Sequence, residues 1–426
     1  MGTKLLVISV AALDKDLNCN GIRFKPMDSI LPAVTCSVQA SFRTGLMPSE
    51  HGMISNGVFS RPLRKAMFWE QSSALVSGRR IWQGPHERGA KVAILFWQQS
   101  LGEQADMIIS PAPIHKHHGG MIQDCYSQPR HLYPYLKNKL GAFKLRNYWG
   151  PLAGPGGGRW IAKATAEILR NGDFAPDICL TYLPMLDYPL QRHDPTGDKA
   201  NSARLEFARD LEELTAAAQE AGYSVLIYGD YSIEPVTSAV RPNFALARAG
   251  LMKTRNVQGM LYPDIFSSRA FAMVDHQVAH VYVADHKDIP QVVEVLADLE
   301  GVEDVLPPDR HKEVHLNHPN SGEVIVTARS GWWFAYSWWA HPKEAPDYAR
   351  HIDIHNKPGY DPCELFWGWP PGSVSLDSSR IRGSHGRVGP AHRPVYGADF
   401  DLDAKIDNVV DLAKAVEHWL EVHYRQ

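Results

Sequence analysis

The residues around Thr35 combine a hydroxyl group with the start of a predicted helix. The segment reads Pro32-Ala-Val-Thr-Cys-Ser-Val-Gln-Ala-Ser-Phe-Arg-Thr-Gly45 and continues as Pro48-Ser-Glu-His-Gly-Met-Ile-Ser-Asn56. The first backbone N–H groups of a helix lack intrahelical partners, and the helix dipole places positive charge at that end. A helix start is therefore a good place to hold an anionic oxygen such as that of phosphate.

Two aspartates follow segments that read as buried strands. The runs Asp177–Leu183 and Tyr223–Tyr228 are largely apolar without alternation, which is typical of a parallel sheet. Asp187 and Asp230 come just after these runs. Ligands of doubly wound sheets bind beyond the carboxyl ends of the strands, so we expect both carboxylates at one edge of the sheet.

Strand and helix patterns alternate along most of the chain. Residues 3–10 and 91–97 predict two further strands, and residues 201–221 predict a helix between the two strands named above. This alternation predicts an α/β fold with a doubly wound, mostly parallel sheet flanked by helices. Short strands and one helix between 264 and 345 predict a small α+β cap insertion, which leaves 1–263 and 346–426 as the catalytic core.

Several histidines stand beside aspartates, as metal ligands often do. His276 and His280, next to Asp275, would share one face of a helix. Asp353 and His355 would point to one face of a strand and could chelate together. Structural histidines that are satisfied by hydrogen bonds are an equally good interpretation of both groups.

Composition excludes some function classes. The 426 residues carry a net charge of −3 and include no run of 18 apolar residues, so we find no strong case for a nucleic-acid polymer or a membrane span. The five cysteines are odd in number and lack CxxC spacing. They fit a reducing compartment better than a disulfide framework, and we expect a cytoplasmic protein.

The ordered motifs resemble a known family. The T-G and P-x-x-H-G pattern after Thr35, the segments that hold Asp187 and Asp230, and Arg382-Gly-Ser-His385-Gly resemble the nucleotide pyrophosphatase/phosphodiesterase branch of the alkaline phosphatase superfamily. A bacterial subset of that superfamily with altered metal ligands resembles the chain further. The resemblance implies an alkaline phosphatase-like core with a cap. It also implies that Thr35 attacks phosphorus, that Asp187 and His385 bind one metal, and that Asp230 binds the other.

Three positions depart from the family pattern. Gln191 and Tyr231 stand where histidine ligands are expected, and Ala11 lies in the segment that should supply an aspartate. Two close cations need several carboxylates to offset their repulsion, so the remaining set would bind them weakly. We interpret Gln191 and Tyr231 as hydrogen-bonding groups around the metal or substrate. Asn56 and Arg43 join this supporting group, although a solvated role for Arg43 is equally open.

The resemblance implies a metal-dependent hydrolase that cleaves a phosphate ester or phosphodiester, which includes nucleotide-like substrates. Its partner would be a small phosphorylated molecule, and its cofactor one or two divalent ions, Zn²⁺ or Mn²⁺. The alternative is a catalytically altered member, either a single-metal enzyme or a protein that binds a phosphorylated ligand or partner without cleaving it. The sequence leaves a homodimer open.

Overall fold

A computed structural model describes residues 4–15, 17, 19–117 and 120–424 of the chain. The strands in these residues are β1 Lys4–Val10, β2 Lys25–Pro26, β3 Gly57–Ser60, β4 Lys65–Phe68, β5 Val92–Leu95, β6 Met107–Pro111, β7 Ile114–His115, β8 Met121–Ile122, β9 Cys125–Gln128, β10 Ile178–Leu183, β11 Tyr223–Gly229, β12 Glu234–Pro235, β13 Ser238–Val240, β14 Thr254–Val257, β15 Met260–Pro263, β16 Ala270–Asp275, β17 Val278–Val283, β18 Val302–Leu306, β19 Val324–Ala328, β20 Trp332–Phe334, β21 Gly383–Ser384 and β22 Val395–Ala398. The α-helices are α1 Thr35–Thr44, α2 Pro48–His51, α3 Gln83–Glu87, α4 Leu132–Leu140, α5 Pro155–Arg170, α6 Asp187–Arg192, α7 Asp198–Glu220, α8 Pro242–Arg248, α9 Ile289–Ala297 and α10 Val409–His423.

An eight-stranded sheet forms the centre of the molecule, in the order β2-β22-β11-β1-β10-β5-β6-β9. The five strands from β11 to β6 run parallel, whereas β22 and β9 pair antiparallel with their neighbours β11 and β6. The parallel strands are almost wholly buried and mostly apolar, as expected of a sheet that is covered on both faces. The predicted fold class is confirmed: a mostly parallel sheet with flanking helices.

The parallel strands bring distant segments to one edge of this sheet. Val10 at the end of β1 pairs with Leu183 on one side and with Gly229 on the other. The Asp230 N–H continues this pairing and donates to the Val10 carbonyl at 2.9 Å. The segments that follow β1, β10 and β11 therefore meet at one edge, as the strand pattern predicts.

A second, four-stranded antiparallel sheet in the order β16-β17-β19-β18 builds the cap region with α9. Its apolar residues form a buried cluster of their own, which also includes Leu246 of α8. Residues before 264 thus pack with the cap, and the boundaries 264–345 remain a prediction.

The expected helix around His276 and His280 is wrong. His276 and Gln277 form the two-residue turn of the β16–β17 hairpin, and His280 lies within β17. The β-branched residues Val278 and Val281 favour a strand here. The two imidazoles therefore do not share a helix face.

The expected strand at Asp353–His355 is a turn. The Asp353 carboxylate accepts hydrogen bonds from the Asn356 amide at 2.9 Å to each oxygen, which stabilises the turn. Pro358 and Gly359 follow at once, and such residues favour turns over strand pairing.

Candidate active site

Thr35 is the first residue of α1 and is buried. Its Oγ1 lies 3.4 Å from the Tyr182 hydroxyl, and Tyr231 lines the same cavity close by. The next backbone N–H, that of Cys36, donates to Asn56 Oδ1 at 3.0 Å. Asn56 thus satisfies one of the unpaired donors at the helix start and fixes the segment that carries the Thr35 hydroxyl.

Asp187 begins α6, shortly after β10 ends. Both of its carboxylate oxygens accept hydrogen bonds, Oδ2 from the Gln191 amide at 2.7 Å and Oδ1 from the Tyr231 hydroxyl at 3.1 Å. His385 Nε2 lies 3.8 Å from Oδ1. Burial raises the pKa of Asp187 above its ordinary value, although these donors and the nearby His276 oppose the rise.

His385 follows the short strand β21. Its Nδ1 lies 2.7 Å from the Ala33 carbonyl oxygen and must donate to it, which leaves the Nε2 lone pair facing Asp187. Within the described residues, Nε2 is buried without a hydrogen-bond partner. Burial lowers the pKa of His385 well below the usual range, so the imidazole is neutral. The ring stacks on Tyr231 with centroids 3.5 Å apart.

Asp275 and His276 form a hydrogen-bonded pair at the tip of the β16–β17 hairpin, next to the site. Asp275 Oδ1 lies 2.7 Å from His276 Nδ1, and Oδ2 accepts from the Ser55 hydroxyl and the Asn56 N–H, each at 2.7 Å. Burial alone would raise the pKa of Asp275, but His276 and the Asn56 and Ser55 donors outweigh it and lower that pKa. The His276 ring stacks on Tyr360 at 3.6 Å.

Asp230 is buried and does not line the cavity that Thr35, Asp187, His276 and His385 share. The Ser9 hydroxyl donates to its Oδ1, while Oδ2 is buried without a partner in the described part of the chain. Burial raises the pKa of Asp230 to about 8, and the charge of Asp187 adds to the effect. The carboxyl group is therefore mostly protonated at neutral pH.

A cavity of about 310 Å³ opens onto Thr35, Asp187, His276 and His385. Aromatic side chains make up much of its remaining wall: Trp69, Phe96, Tyr148, Trp149, Tyr182 and Tyr188. Such walls suit an apolar or aromatic part of a ligand. The cavity therefore combines a polar end with an apolar wall.

Comparison with known proteins identifies the family. Residues 12–361 match the model of the type I phosphodiesterase / nucleotide pyrophosphatase family. The chain belongs to this family. Its members are hydrolases, and the family is a branch of the alkaline phosphatase superfamily, as the sequence motifs suggested.

Solved structures share the fold. Phosphonoacetate hydrolase from Sinorhizobium meliloti 1021, in complex with phosphonoacetate, superposes with a TM-score of 0.63 at 14% identity, over 99% of this chain and 96% of that one. Murine ectonucleotide pyrophosphatase/phosphodiesterase 5 superposes with a TM-score of 0.58 at 13% identity, over 98% and 95%. No curated protein sequence matches the chain.

The donor set does not fit a two-cation centre of this family. Ala11 has no donor atom in its side chain, and Gln191 and Tyr231 replace imidazoles. The Asp230 carboxyl group accepts from the Ser9 hydroxyl, and Asp230 does not line the cavity. In the described residues, no three side chains of His, Cys, Asp or Glu are arranged to hold a metal ion. Asp187 and His385 alone supply fewer than the three protein ligands of a catalytic zinc site.

Two of the predicted residues have structural contacts instead. The Arg43 guanidinium donates to the Gln99 carbonyl at 2.8 Å and to the Gln98 carbonyl, and Arg43 itself does not line the cavity. His280 is buried, and its Nε2 lies 2.9 Å from the Ile54 carbonyl oxygen. These contacts tie α1 and the segment after α2 to neighbouring elements.

Asp353 and His355 reach the cavity wall but do not join the polar group at its end. The Asp353 carboxylate is engaged by Asn356, and His355 Nδ1 lies 3.0 Å from the Phe68 carbonyl oxygen. Their position suits contact with the distal part of a ligand.

Sequence reasoning missed three site residues. Tyr182 contacts Thr35, Tyr360 donates to Gln191 Oε1 at 2.9 Å, and Ser9 donates to Asp230. Tyr182 and Tyr360 lie close to predicted functional motifs, and this proximity could have singled them out. Ser9 carries no such signal, because a serine inside a buried strand is ordinary in sequence.

No α-helix of the described residues is long and apolar enough to span a membrane.

Proposed function

We propose that this chain hydrolyses a phosphate ester or phosphodiester of a small molecule, with Thr35 as the nucleophile. The observation that carries the proposal is the position of the Thr35 hydroxyl. It lies at the start of α1 and lines the same cavity as Asp187, His276 and His385. A hydroxyl nucleophile, basic groups and an anion-binding helix terminus are the parts that phosphoryl transfer needs.

In the first step, Thr35 Oγ1 forms a bond to phosphorus while the bond from phosphorus to the leaving oxygen breaks. The Thr35 proton passes to His276 Nε2, because Asp275 holds the other ring nitrogen as a donor. His276 then returns the proton to the leaving oxygen. In the second step a water molecule gives a proton to His276 and its oxygen forms a bond to phosphorus, while the bond from phosphorus to Thr35 Oγ1 breaks. His276 then returns the proton to the threonine oxygen.

The solved relatives support this assignment of roles. A further structure of murine ectonucleotide pyrophosphatase/phosphodiesterase 5 contains an inactive threonine-to-alanine variant in complex with AMP. That description fits a threonine with a role in catalysis and a ligand with an aromatic base. In this chain the aromatic wall of the cavity, with Trp69 and Tyr148, suits such a base.

The decisive experiment replaces Thr35 with alanine. Turnover of bis(4-nitrophenyl) phosphate should fall at least about a thousandfold, because the nucleophile is lost. Thr35→Ser keeps a hydroxyl and should retain measurable turnover. Cys36→Ala changes the adjacent buried residue and should remain active, which excludes the thiol as nucleophile. Undiminished turnover by a folded Thr35→Ala protein would refute the proposal.

The second candidate is a protein that binds a phosphorylated ligand without cleaving it. The burial of Asp230 outside the cavity favours this function, since one carboxylate fewer can act on a bound ligand. Calorimetric titration with AMP, together with assays for its release from a dinucleotide, separates the two. Tight binding without any turnover by the wild-type chain would favour the binding protein.

A further inference from the structure

We infer that a hydrogen-bonded group takes the place of the two-cation centre in this chain, with Tyr231 and Gln191 as positioning residues for Thr35 and Asp187. The group consists of Tyr231, Asp187, Gln191 and Tyr360, and we call it the carboxylate clamp. The inference rests on the proposed function only for the role of Thr35. The claim about cations stands on the donor atoms alone.

Tyr231 bridges the nucleophile and the carboxylate. Its hydroxyl donates to Asp187 Oδ1 at 3.1 Å and lies near the Thr35 hydroxyl, on the wall of the same cavity. Its ring is held flat against His385, with 3° between the ring planes and 3.5 Å between centroids. A neutral phenol thus spans the gap between Thr35 and Asp187 and fixes their separation.

Gln191 fixes the other side of the same carboxylate. Its Nε2 donates to Asp187 Oδ2 at 2.7 Å, while its Oε1 accepts from the Tyr360 hydroxyl at 2.9 Å. An amide nitrogen carries no free lone pair and cannot act as a metal ligand. Both oxygens of Asp187 are therefore satisfied by protein donors, which removes the need for a cation to neutralise them.

The position around Asp230 is closed as well. Ser9 donates to its carboxyl group, and the side chain is buried away from the cavity. Ala11, which follows β1 at the same sheet edge, provides only a methyl group. A cation placed here would meet one carboxyl group and no second charged ligand from these segments, which is too little for stable binding.

Metal content tests the inference without any assay of activity. Elemental analysis of the wild-type chain, purified without chelators and then exposed to Zn²⁺ or Mn²⁺ and desalted, should find far less than one equivalent. Stoichiometric metal retained by the wild-type chain after desalting would overturn the inference. This measurement decides the question even if no variant folds.

A double variant tests whether the clamp itself excludes the metal. Tyr231→His with Gln191→His places two imidazoles beside Asp187 and His385, and calorimetry should then detect about one equivalent of Zn²⁺. The matched control, Tyr231→Phe with Gln191→Ala, breaks the same hydrogen bonds without adding ligands and should bind none. A folded histidine variant that binds no Zn²⁺ would contradict the inference.

The positioning role has its own readout. Tyr231→Phe should lower kcat about tenfold or more while KM changes little, because the Thr35 hydroxyl loses its contact but the cavity wall stays. An equal kcat would contradict the positioning role. Loss of turnover in Thr35→Ala tests the proposed function separately, so a metal-free wild-type chain without turnover would refute that function and leave the claim about cations standing.

Discussion

Asp187 and Asp230 both follow strands of the central sheet, yet their surroundings are opposite. Asp187 lines the cavity, and tyrosine, glutamine and histidine side chains surround it. Asp230 is sealed beneath the same edge, with Ser9 as its hydrogen-bond donor. The difference shows that a strand-end position brings a carboxylate to the functional edge, whereas the neighbouring side chains decide whether it can act there.

The same comparison explains why the Asp187 side and the Asp230 side of the site differ. A two-cation centre needs charged ligands on both sides of the bound phosphate. In this chain the side of Asp187 keeps polar groups that face the cavity, and the side of Asp230 has become part of the core. Chemistry is therefore expected on one side only.

The largest expected effect on turnover is the difference between replacing Asp187 and replacing Asp230 with asparagine. Asp187→Asn should lower kcat/KM for bis(4-nitrophenyl) phosphate by about 10² to 10⁴, because it disrupts the group that positions Thr35. Asp230→Asn should change it less than about tenfold, since asparagine resembles the protonated aspartate already present. Each variant is the control for the other. Equal losses in both would show that Asp230 acts in catalysis after all.

A smaller effect is expected when the Asp275–His276 pair is altered. Asp275→Asn leaves one side-chain oxygen, which cannot accept from His276 Nδ1–H and from the Ser55 and Asn56 donors together. The amide N–H then favours the wrong ring tautomer, so kcat should fall about a hundredfold. The pH–rate profile should change shape as well, which a purely structural loss would not cause. Asp285→Asn, an exposed aspartate of the same region, is the control and should match the wild type.

The smallest effect on turnover is expected from the titration of Asp230. This titration should instead change the stability of the folded chain with pH. The folded-state pKa of Asp230 is raised from 3.8 to about 8, so the stability gained from its neutral form is fully present below pH 4 and is lost as pH rises to about 8. Over this window the free energy of unfolding of the wild type should fall relative to Asp230→Asn by up to about 1.4 kcal/mol per pH unit. Urea unfolding at several pH values measures this slope. A wild type that gains stability over the variant with rising pH would show that Asp230 is ionised.

Much of the fold could be predicted from local patterns. In the described residues the four predicted strands correspond to β1, β5, β10 and β11 of the central sheet, because strands that are buried on both faces are mostly apolar. Two expectations failed where a motif suggested chemistry. The segments at His276–His280 and Asp353–His355 are a hairpin and a turn, because strand propensity and Pro-Gly set the backbone there.

Local sequence patterns were enough to predict the family, the central sheet, the helix start at Thr35 and the strand-end positions of Asp187 and Asp230. These depend on local hydropathy, turn residues and the offset between neighbours in the chain. Three features required the folded chain: the position of His276 at the site, the hydrogen bond from Tyr231 to Asp187, and the hydrogen bond from Ser9 to Asp230. Burial and hydrogen-bond partners arise between segments far apart in sequence, and they control whether a carboxylate is ionised and what it can bind.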